Sequence, residues 1–107
     1  MGKITIPFVR DGALKHLTVA EVKKSYESSR DQLLAGILHG VKIGEGQSLG
    51  KLNALIEEER ARVAQLKQSE TDPISGIYYF DADREQKLKY TVGVLHGLQA
   101  VRASLKS

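Results

Sequence analysis

The heptapeptide Ala35-Gly36-Ile37-Leu38-His39-Gly40-Val41 recurs 57 positions later as Val92-Gly93-Val94-Leu95-His96-Gly97-Leu98, so one Gly-h-Leu-His-Gly-h signature (h, apolar) is written twice in a chain of 107 residues. Both copies lie in stretches whose apolar residues return at helical intervals. A glycine inside a helix costs roughly 0.5–1 kcal/mol relative to alanine. Two per helix at GxxxG spacing therefore predict two helices whose backbones approach closely. Gly36, Gly40, Gly93 and Gly97 are the expected helix-contact positions, with His39 and His96 on either side of a pseudo-symmetric seam. The pattern leaves open whether that seam closes within one chain or between two copies. It also leaves open the plainer alternative that small residues merely accommodate a neighbour's bulky side chain.

Around this repeat the chain reads as one domain over 1–107. Ile4, Ile6 and Phe8 alternate with Lys3, Thr5 and Pro7, and Asp11-Gly12 then supplies a two-residue turn able to take positive φ. A β-hairpin is expected over 3–17, with Pro7 marking an edge strand. Thr18-Val19-Ala20-Glu21 has the spacing of a capping box. It predicts helix 1 over 18–41, with Gly40 either interior or the terminator. Glycines 44 and 46 break the pattern, and Ser48 caps a predicted helix 2 over 48–69 whose Leu49, Leu52, Ile56, Val63 and Leu66 form a seam interrupted by Glu59. A charged residue in that register needs a partner or an edge. Residues 77–80 (Ile-Tyr-Tyr-Phe) are a candidate third short strand, and helix 3 is expected over 82–105, with Leu88, Val92, Leu95, Leu98, Val101 and Leu105 as its buried stripe. The fold class is α+β, mostly α: a three-helix core with a small N-terminal hairpin.

Composition removes several function classes. There is no cysteine, which excludes disulfides, thiolate nucleophiles and cysteine-based metal sites. The histidines stand without the HxxH or HExxH spacing of a zinc site, so no metal and no cofactor is expected. Paired carboxylates at Asp81/Asp83 and Glu57/Glu58/Glu59 read as helix-start chemistry or a solvated face. No catalytic group is assigned, and the protein is not expected to be an enzyme. No apolar run reaches the length of a membrane span and no secretory leader is evident, so a cytoplasmic protein without membrane attachment is expected.

Two binding alternatives accompany the main expectation. The loop Gly44-Glu45-Gly46-Gln47-Ser48-Leu49-Gly50-Lys51 lacks the order of a Walker motif. Even so, Lys42, Gly44, Gly46, Ser48, Gly50 and Lys51 offer backbone donors, an N-cap and two cations to a phosphorylated or nucleotide-like ligand. Arg84, Lys87, Lys89, Arg102 and Lys106 on helix 3 are candidate nucleic-acid contacts. They fall at several helical angles, however, and the net charge of +3 is modest. The leading expectation is a non-enzymatic interaction protein, an adaptor, inhibitor or regulator of the size common among phage and mobile-element accessory factors. It would bind a protein partner through a helical surface and self-associate as a homo-oligomer.

Overall fold

The computed structural model describes residues 4–10, 12–68 and 82–106, with the side chains of residues 9, 10, 68 and 82–84 left aside. It is mostly helical, with an N-terminal two-stranded antiparallel sheet. Strand β1 (Thr5–Arg10) pairs with β2 (Ala13–Thr18) so that Ile6 faces Leu17, Phe8 faces Lys15 and Arg10 faces Ala13. Gly12 takes the positive φ, 76°, that so short a connection demands. A two-stranded hairpin is marginal by itself. Here it is anchored by Ile6, wholly buried against Val22, Leu34, Ile37 and Ala100.

The capping box operates as its spacing implies: the Glu21 N–H donates to Thr18 Oγ1 (3.2 Å) and the Thr18 N–H to Glu21 Oε1 (3.1 Å). Helix α1 (Val19–Ser29) starts there but does not run on to 41. The single helix expected over 18–41 is two, divided at Arg30 and Asp31. Arg30 adopts the left-handed conformation (φ 57°, ψ 29°) and its N–H closes α1 on the Tyr26 carbonyl at 2.7 Å. Asp31 then caps α2 (Gln32–Gly44) by accepting the Leu33 N–H at 2.8 Å. Gly40 lies inside α2, which ends at Gly44. Helix α3 (Leu49–Gln68) begins after Ser48, whose Oγ accepts the Lys51 N–H at 3.2 Å. Helix α4 spans Ala82–Lys106. The strand expected at 77–80 falls outside the described residues.

Helices α2, α3 and α4 run up, down and up. Arg102 Nη1 of α4 donates to Asn53 Oδ1 of α3 at 3.1 Å, while Arg62 and Leu66 of α3 share a groove with Gln86, Lys87 and Tyr90 of α4, so rising numbers meet falling ones. Consequently α2 and α4 are parallel, and the two heptapeptides lie side by side in register. A Cβ built on Gly36 would fall 2.9 Å from the Gly93 Cα and strike the Tyr90 carbonyl oxygen. One built on Gly93 would fall 2.9 Å from the Gly36 Cα and strike the Leu33 carbonyl. Gly40 and Gly97 repeat the arrangement one turn on, against the Val94 and Ile37 carbonyls. Each blocking carbonyl on one helix is 57 residues from its counterpart on the other, Leu33 to Tyr90 and Ile37 to Val94, so a local two-fold relation survives in atomic detail. The glycines meet backbone, not the bulky side chains that the plainer alternative supposed. An α-hydrogen in each Cβ direction faces a carbonyl oxygen, the geometry of a weak Cα–H···O bond.

With the main chains this close, side chains are displaced to both flanks and build two clusters. Val41, Leu52, Ile56, Val94, Leu98 and Val101 pack between α2, α3 and α4. Ile6, Val22, Leu34, Ile37 and Ala100 pack beneath the hairpin and α1. The deepest apolar residues of α4 are therefore Val94, Leu98 and Val101, whereas Leu88, Val92 and Leu95 are half-buried and Leu105 is exposed. Leu49, expected in the α3 seam, is also exposed. Among the described residues the buried polar side chains of Thr91 and Ser104 hydrogen-bond to the Lys87 and Val101 carbonyls of their own helix.

Because the obstruction at Gly93 is backbone, Gly93→Ala is expected to destabilise the fold by about 3 kcal/mol or more in urea denaturation. Gly50, a helical glycine with nothing within 4 Å of an added Cβ, gives the opposite sign. Gly50→Ala is expected to stabilise by about 0.5–1 kcal/mol. Equal effects at the two positions would contradict the packing described.

Candidate functional site

Sequence alone did not anticipate the group on one flank of the glycine seam. Tyr90 Oη is in hydrogen-bond contact with His39 Nδ1, and the rings lie 5.7 Å apart between centroids with planes tilted by 46°. Burial pushes the Tyr90 phenol above its ordinary range, helped by the nearby Glu59 carboxylate and by Tyr26. A protonated phenol donates to Nδ1 in the imidazole tautomer that carries its proton on Nε2. Glu59, the charge that interrupted the apolar register of α3, is partnered: its Oε1 accepts from Arg62 Nη1 at 2.6 Å, and its side chain is only 13% exposed. The hint in the sequence was positional. Tyr90 precedes Gly93 by three residues, as Leu33 precedes Gly36.

The two histidines of the repeat therefore differ chemically. His39 faces a phenol, whereas Leu33 holds the position matching Tyr90 in the other copy. His96 is partly desolvated, which lowers its pKa below the ordinary histidine value of 6.5. Among the described residues no group of three His, Cys, Asp or Glu is placed to hold a metal ion. His16 lies on β2, opposite Pro7.

A separate concavity lies at the end of the bundle where α2 and α4 finish. A predominantly apolar groove of about 840 Å³ opens between Ile4, the first turn of α1 (Val19, Ala20), the α2–α3 turn (Gly44 to Gln47) and the last turns of α4 (Val101, Leu105). Four elements meet there because the up-down-up course returns α4 to the level where α2 ends and the hairpin passes into α1. Glu45 is the charged residue on its wall, with Thr18, Gln47 and Ser104 as polar groups.

This arrangement divides the expected 42–51 ligand loop. Gly44 and Gly46 line the apolar groove, but Gly44 is buried, and a Cβ there would meet Leu52, Leu98 and Val101 at 3.1–3.3 Å, which makes it a packing glycine. Ser48 is occupied as the α3 cap. Lys42 lines a different groove, with Lys23 and Arg30, and Gly50 and Lys51 are exposed on the first turn of α3. The basic residues of α4 are likewise spread. Lys87 lines the groove beside Tyr90, and Arg102 is bonded to Asn53. Lys87 and Lys89 stand about 160° apart around the axis, and the Arg84 side chain lies outside the described ones. No described helix is long and apolar enough to cross a membrane. No protein-family profile, characterised protein or solved structure matches the chain.

The lowered His96 pKa fixes the sign of a pH dependence. Between the folded value and the ordinary one near 6.5 the unfolded chain binds the proton and the folded chain does not, so the stabilisation is full above 6.5 and is lost as pH falls through the folded value. Thermal denaturation is expected to show Tm falling on acidification from neutral pH, with a smaller fall in His96→Gln. An identical fall in both proteins would contradict this assignment.

Proposed function

We propose that the protein is a non-enzymatic interaction module that binds a protein partner through the apolar groove at the end of its helical core. The observation that carries this reading is the groove itself, open and lined by Ile4, Val19, Ala20, Val101 and the exposed Leu105. Apolar side chains gathered on one concave surface are what a partner's apolar anchor residues fill. The four glycines of the repeat, by contrast, are buried against backbone of the same chain. A role as adaptor, inhibitor or regulator fits a small domain whose accessible feature is a recognition surface.

The phosphorylated-ligand reading loses support at this groove, since its charged wall residue is the acidic Glu45 and the nearby cation Lys42 lines another surface. Photo-crosslinking residues placed at the exposed positions Ala20 and Leu105 are expected to trap one and the same protein in cells. The same probe at the exposed Ala61 of α3 traps none of it. Leu105→Asp is then expected to weaken that partner's binding by about tenfold or more, a change of about 1.4 kcal/mol, with no change in Tm. Equal trapping from Ala61, or full affinity in Leu105→Asp, would overturn the proposal.

A further inference from the structure

We infer that the groove between α1 and α2 is a binding site for single-stranded nucleic acid, distinct from the apolar groove and from the basic residues of α4. Lys23, Tyr26, Glu27, Arg30, Leu38 and Lys42 line a concavity of about 750 Å³. Three cations face one carboxylate there. Among the described residues no salt bridge involves Lys23, Arg30 or Lys42; Arg60–Glu57 and Arg62–Glu59 lie on α3. Lys23 and Arg30 stand seven residues apart, about 10 Å along the axis of α1. That is farther than one phosphate spans, and it suits a chain of phosphates better than a single anion.

Arg30 supplies a second, independent indication. The left-handed C-cap is a position for glycine or asparagine, because an L side chain there crowds its own backbone. Nothing in the turn requires arginine: the bond that closes α1 is made by its backbone N–H to the Tyr26 carbonyl. The side chain instead lies over the Tyr26 ring, 5.6 Å from guanidinium carbon to ring centroid. A strained residue whose side chain has no role in the cap is held for what that side chain does. An arginine held over a tyrosine ring by a cation–π contact inside a cationic groove is a platform for a base, with phosphates running toward Lys23 and Lys42. Leu38 gives the groove an apolar floor.

Fluorescence anisotropy of a short labelled oligothymidine tests this. Binding is expected to weaken with salt with a logarithmic slope near −2, from about three phosphates at 0.7 each. Lys42→Glu is expected to weaken binding by about fivefold or more, while Lys51→Glu, the same charge change on exposed α3, stays within about twofold. Arg30→Gly is expected to weaken binding by a similar factor without lowering Tm, because relief of the left-handed strain offsets the lost ring contact. That separates a binding role from a folding one. No salt-dependent binding at low salt, an equal loss in Lys51→Glu, or full affinity in Arg30→Gly would each overturn the inference.

Discussion

The fold depends on two parallel helices whose main chains touch. Gly36 against Gly93 and Gly40 against Gly97 leave no space for a Cβ between α2 and α4, and everything around the seam follows from that closeness. Side chains at the flanking positions cannot enter it, so they pack outward into two separate clusters, and each cluster needs a cover. Helix α3 covers one with Leu52 and Ile56, and the hairpin and α1 cover the other with Ile6 and Val22. Parallel neighbours place like dipole ends together. The antiparallel α3 lies against α4 between them in sequence and offsets this.

Much of that frame was legible in the residues, because its signals are local. The Thr18–Glu21 capping box, the turn glycine Gly12 and the glycine spacing each act over five residues or fewer, and each has its physical counterpart in the structure. The break at Arg30-Asp31 was not legible. The apolar stripe keeps its period across it, from Tyr26 to Leu33, and neither glycine nor proline marks it. The burial of α4 was misjudged for a different reason: a helix contacted by α2, α3 and β1 has no single buried stripe, so Val94 outranks Val92 and Leu95. The Tyr90–His39 contact joins residues 51 positions apart, which only the register of the parallel pair brings together.

The same architecture sorts the surfaces open to a partner. The glycines, the most conspicuous letters of the chain, are structural and enclosed. Two accessible grooves lie at the margins, where elements end or change direction: the apolar groove where α2 and α4 finish, and the cationic groove at the α1–α2 break. Lys42 belongs to the second although it adjoins the glycine-rich loop in sequence. The direction of a helical side chain, not its nearness along the chain, decides which groove it joins.

The parallel, intramolecular seam is tested most directly by Hα–Hα nuclear Overhauser effects in a mixture of isotope-labelled and unlabelled chains. Strong effects are expected between Gly36 and Gly93 and between Gly40 and Gly97, and they should vanish when the spectrum is filtered for contacts between different molecules. Effects linking Gly36 to Gly97 and Gly40 to Gly93, which mark an antiparallel pair, or effects that survive the filter, would contradict the account.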